Sequence, residues 1–165
     1  MRLKISLDLR HAMKIVDDAL AAARAESMLP MTVVVLDAGG RIIASQSEDG
    51  SGLMRFDIAR GKAWGALGMG MSSRLIRDRL ATRPSFQAAL GTAADGKFIP
   101  VPGGVLVEDE EGTVIGAVGV SGDTSEKDEY CAIVAIHAAG LASEPQSPDP
   151  NWRDSSLSGT PKTAG

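Results

Sequence analysis

Lys62 sits in "IARGKAWGALG", a run of small and apolar residues that suggests burial. A buried ammonium is costly unless paired, and its pKa falls readily, which suits such a lysine to ligand binding, acid–base work or electrophilic catalysis. The competing reading is a covered stem with the amine snorkelling to water. Acids that could assist it, across a subunit boundary, are Asp123, Glu126 and Asp128 in "VIGAVGVSGDTSEKDE". The same stretch carries Gly116, Gly119 and Gly122, spaced G-x-x-G-x-x-G, which is neither the dinucleotide fingerprint nor the P-loop. A helix is expected just after Gly122, and Asp123 to Glu126 has the spacing of a capping box with Asp in the usual Ser/Thr place. Carboxylates that satisfy the free N–H groups there repel an incoming phosphate. The glycine run is therefore read as a turn from strand to capped helix, with Ser121 and a carboxylate left to rim a pocket.

Metal chemistry has little to draw on. The histidines are His11 and His137. His11 lies about 200° around its helix from Leu9, away from the expected core stripe, and gains interest only at a subunit interface. His137, four residues after Ile133, reads as a core histidine. Cys131 and His137 are about 240° apart on one helix, so they share no face, and no zinc spacing exists. A single axial ligand to haem needs only one residue. Cys131 itself reads as a buried, inert thiol.

These residues must be positioned by the elements around them. Leu9, Met13, Val16, Leu20 and Ala23 step by four and three, predicting an amphipathic helix over 7–28 with Ser6 as N-cap and Pro30 beyond its end. "MTVVVLD" reads as a strand covered on both faces, and "AGG" turns it into "RIIASQ" as a hairpin. Helix is expected from Met54 through "FDIARGKAWGALGMG", its glycines marking close packing, and again over 72–82. Residues 82–96 leave helix and loop both open. "GGVLVED" and "TVIGAVGVS" form a second hairpin, followed by a largely buried helix over 124–142. Two hairpins and intervening helices predict an α+β fold: an antiparallel sheet with helices packed on it in three layers. The expected domain spans 1–143. Residues 144–165, rich in Pro and Ser, should be an extended or disordered tail in which Trp152 docks on the domain or on a neighbour.

A net charge of −4, with no basic cluster, argues against nucleic-acid binding. No apolar stretch reaches membrane-spanning length, the start lacks a signal-like apolar segment, and one cysteine forms no internal disulfide, so a cytoplasmic protein is expected.

Taken in order, "VVLDAGGRIIA" (34–44), "IARGKA" (58–63), "GGV" (103–105) and "IGAVGVSGDTSEKDEYCA" (115–132) resemble the GlcG/HbpS-like haem-binding or haem-degrading domain family, also found fused to a corrinoid adenosyltransferase. Gly103 and Gly104 stand where that family has a glycine pair before a strand; Leu106 stands where it often has proline. The resemblance implies a sheet flanked by helices, assembly as a homo-oligomer, and a small-molecule pocket near the central helix and glycine loops, with haem as the leading ligand. On that reading His11 is the axial-ligand candidate, Arg55 and Arg60 join Lys62 in pairing with ligand carboxylates, and Gly103, Gly104, Ser121 and Gly122 line the pocket. Two alternatives stand beside it. One is a metal-independent enzyme acting on a small oxygenated metabolite, with Lys62 as acid–base or electrophile; the other is a structural or accessory oligomer.

Overall fold

The computed structural model describes residues 4–157 and opens with α1 (Leu9–Ala25). Its buried stripe is Ala12, Ile15, Val16, Ala19 and Ala23. That stripe is rotated from the expected one, leaving Leu9 and Met13 60% and 44% exposed. Small alanines let the helix lie close to its neighbours, while the longer side chains fall to one flank. The N-cap is Asp8 rather than Ser6: its carboxylate accepts the His11 N–H at 2.8 Å, and the Ser6 hydroxyl accepts from Ala38 N–H instead.

β1 (Thr32–Asp37) is buried along its whole length, and β2 (Ile42–Ser47) returns beside it as the expected hairpin. α2 (Arg55–Met69) and α3 (Ser73–Leu80) follow. The open stretch forms α4 (Pro84–Ala93), with Pro at its first turn and no buried residue, so no apolar stripe announced it. β3 (Gly104–Glu108) and β4 (Val114–Ser121) make the second hairpin, α5 (Ser125–Ala138) is the buried closing helix, and β5 (Ala142–Glu144) pairs with β3. The sheet order is β2-β1-β4-β3-β5, antiparallel throughout.

Alternation along the strands sends side chains to opposite faces. Val33, Val35, Val105, Val107, Val118 and Val120 pack with α1 and α5; Val34, Leu36, Leu106 and Ala117 pack with Ala59, Ala63 and Ala66 of α2. The fold is therefore α+β in three layers. A Cβ at Gly119 would collide with the Ala59 carbonyl oxygen, and one at Gly104 with that of Lys62, so both glycines let α2 rest backbone to backbone on the sheet. The glycine run thus serves packing.

Beyond residue 143 the chain adds to the domain as far as 157. A short 3-10 helix (Trp152–Asp154) buries Trp152, whose ring stacks on Tyr130 with centroids 3.7 Å apart. Arg153 pairs with Glu26 at 2.7 Å, and the hydroxyls of Thr124 and Ser155 are hydrogen-bonded. The expectation of an extended or disordered segment gives way here because a large aromatic finds a partner ring. The rest of that expected tail, 158–165, lies outside the described residues.

Candidate functional site

Lys62 is 1% exposed, so it does not snorkel. Its Nζ lies 2.8 Å from Asp128 Oδ2 and donates to the Val120 carbonyl at 3.0 Å. The lysine belongs to α2 and the aspartate to α5, on opposite faces of the sheet, and the pair forms within one chain. Gly103, with φ +112°, makes room: a Cβ there would sit 2.9 Å from Lys62 Nζ and 3.0 Å from Asp128 Cβ. Burial raises the Asp128 pKa, and the charge and hydrogen bond of Lys62 oppose that rise. Asp128 Oδ1 also accepts the Asp123 N–H at 3.1 Å.

Asp123 is not the cap of α5. Thr124 takes that place and accepts the Lys127 N–H, because its extended backbone sets the hydroxyl over the first turn. Asp123 instead accepts from Leu29 and Thr124 N–H groups and from Lys127 Nζ. Burial pushes its pKa up, but those donors outweigh it and the net shift is downward. Buried Ser121 accepts from Arg55 Nη1 at 3.2 Å. Lys62, Asp128, Asp123, Ser121, Arg55, Gly103, Gly104 and Gly122 thus gather at one end of β3 and β4. Glu126 stands apart, half-buried and paired with Arg77 at 3.5 Å, and half-buried Arg60 joins no residue of this cluster by an ion pair.

His11 lies at the other end of the sheet. Its α1 begins beside the β1–β2 turn, through the Ser6–Ala38 bond, whereas Arg55 meets the last residue of β4. β4 runs eight residues, about 26 Å of strand, so His11 and the arginine occupy separate regions of a protomer. His11 Nδ1 is 2.8 Å from Asp8 Oδ1. A carboxylate only accepts, so Nδ1 carries the proton, and in the neutral ring Nε2 presents its lone pair. The same bonds, first the backbone N–H and then the ring, hold the Asp8 pKa below the usual value. The His11 side chain is 29% exposed.

The HbpS-like family, described as haem degrading, matches residues 7–137. The chain belongs to this family. An uncharacterised 15.0 kDa relative encoded in the dhaT–dhaS intergenic region of Citrobacter freundii is 32% identical over 125 residues, 76% of this chain and 87% of its own length. The crystal structure of the Klebsiella pneumoniae protein ORFY is 27% identical, with a TM-score of 0.75 over 85% of this chain and 94% of that one. PduOC, solved as a heme complex, shares the fold, with 24% identity and a TM-score of 0.76 over 85% of this chain and 99% of that one.

Within this HbpS-like chain, three functional-looking groups were misread or missed from the sequence. His137, expected in the core, is exposed in the last turn of α5 and bonded to Ser143 at 2.9 Å. Glu129, which no sequence pattern singled out, is fully buried, and neither carboxylate oxygen has an aligned hydrogen bond among the described residues. Arg74 Nε stands 3.3 Å away as its ion-pair partner. Burial lifts Glu129 to about pH 7 against the pull of Arg74 and Arg77. The Asp8–His11 pair was missed because Asp8 was not read as the cap. The spacing Asp-x-x-His at a helix start is the signal that finds it. Cys131 is buried as expected, its thiol pushed up to about 12 by desolvation. Among the described residues no group of three or more His, Cys, Asp or Glu could hold a metal ion, and no helix is long and apolar enough to cross a membrane.

Proposed function

We propose that this chain binds haem, with His11 Nε2 as the axial ligand. The carrying observation is the Asp8–His11 pair: a carboxylate that fixes the tautomer, orients the ring and raises the basicity of the nitrogen left free. Such a partner is the usual companion of a metal-ligating histidine, and the donor set fits a group that asks one residue of the protein. The family's haem-degrading description supports the same ligand. A bound haem would supply an iron ligated by imidazole, as in globins and peroxidases. Lys14 lies about 60° around α1 from His11 and holds Asp18 at 2.8 Å, a surface partner that a propionate could replace.

Leu9 and Met13 form the opposite, exposed apolar flank of α1. That flank supports the expected assembly as a homo-oligomer, in which Arg55 and Arg60 of one protomer reach a ligand held by another. We read Lys62 and Asp128 as a pair spanning the layers rather than as acid and base, since both are sealed from solvent. Titrating the purified chain with haemin tests the proposal: a saturable shift of the Soret band supports it, and an unshifted band refutes it.

A further inference from the structure

On the sheet face opposite α1, a cavity of about 180 Å3 lies between α2 and α4. Trp64, Phe98 and Leu90 wall it, and Gly65 and Gly68 hold its α2 side open. A Cβ on Gly65 would press to 3.1 Å from the Phe98 ring, so the absent side chain lets the two aromatics face a common space. A second cavity, of about 240 Å3, touches Phe98 and residues Gln87 and Ala88 of α4. α4 therefore stands between two hollows, and none of its ten residues is buried. Moving such a wall costs little packing.

An apolar cavity of roughly 150 Å3 stays dry and takes benzene, so this one is sized for a single ring with a small substituent. A cation stands against its Trp64 wall. Lys97 Nζ lies 5.6 Å from the centre of the Trp64 ring, on a half-buried side chain whose ion-pair partner, Asp95, is 3.3 Å away and 94% exposed. A pair that exposed is weak and easily exchanged for another anion. We propose that this cavity binds a small aromatic monocarboxylate, its ring between Trp64 and Phe98 and its carboxylate on Lys97. The site involves neither His11 nor the Lys62 cluster, so it stands or falls independently of haem binding.

The sequence holds two tryptophans, so Trp152→Phe in the full chain assigns the Trp64 indole N–H signal in NMR spectra. Sodium benzoate should shift that signal saturably, and benzylamine should bind more weakly. Lys97→Met should weaken benzoate about threefold, the worth of one exposed ion pair, and leave toluene unaffected. Gly68→Leu should abolish the shift by filling the space. A Cβ there meets its nearest neighbour, Trp64, at 3.9 Å, so the variant should fold. Ala93→Leu, on exposed α4, is the second filler and should act alike. No saturable shift with benzoate, unchanged benzoate binding in Lys97→Met, or unchanged binding in a folded filler variant overturns the proposal.

Discussion

Nζ of Lys62 on α2 lies 2.8 Å from Oδ2 of Asp128 on α5, so an ion pair passes through the sheet from one helical layer to the other. It does so at the end of β3, where Gly103 supplies the gap. Lys62→Met leaves a buried carboxylate without its cation and should cost about 3–5 kcal/mol. The double variant Lys62→Met, Asp128→Leu removes the stranded charge and should recover much of that loss. Urea unfolding of both variants checks this; equal stability of Lys62→Met and wild type would show that the pair is not structural.

Glu129 predicts a pH response. An unfolded glutamate titrates near 4.5, whereas the folded one titrates near 7, so the native state holds the extra proton between those values. Stability carried by that proton is complete below pH 4.5 and is lost as the pH rises to 7. Glu129→Gln should therefore match wild type at low pH and exceed it at pH 8, by up to ~3 kcal/mol. Thermal melts of both proteins across that range give the answer; a difference independent of pH would contradict the burial argument.

Trp152 anchors the last described segment by stacking on Tyr130. Trp152→Ala should cost about 3 kcal/mol, the usual loss for a large buried aromatic, while Trp152→Phe should keep most of the stability. Denaturant midpoints compare the two. If alanine is as good as phenylalanine, the segment contributes nothing to the domain.

Strands β1 to β4 and most helices were legible because burial left a mark in residue type, an unbroken β-branched run for β1 and small residues for α2, whereas β5 fell where the helix was expected to end and the tail to begin. The phase of α1 was not, since alanines face the core and Leu9 and Met13 face out, which inverts the ordinary weight given to size. Burial of Lys62 could be read from its neighbours. Its partner, 66 residues away, depends on how the layers stack, and no local pattern encodes that. His137 was misplaced because the last turn of α5 emerges from the core that its earlier turns occupy. α4 buries nothing and so left no periodic signature.

Asp8→Asn probes the support behind His11. Asparagine still caps α1, so the fold should hold. Losing the carboxylate should lower haemin affinity about tenfold, the lower end of what orienting partners of metal ligands are worth. Unchanged affinity in a folded Asp8→Asn protein would mean that the pair does not serve the ligand.

The most direct measurement is the absorption spectrum of haemin-loaded wild type beside haemin-loaded His11→Ala. The account predicts a shifted, saturable Soret band for wild type that the alanine variant lacks while keeping its circular dichroism. Two identical spectra would contradict it.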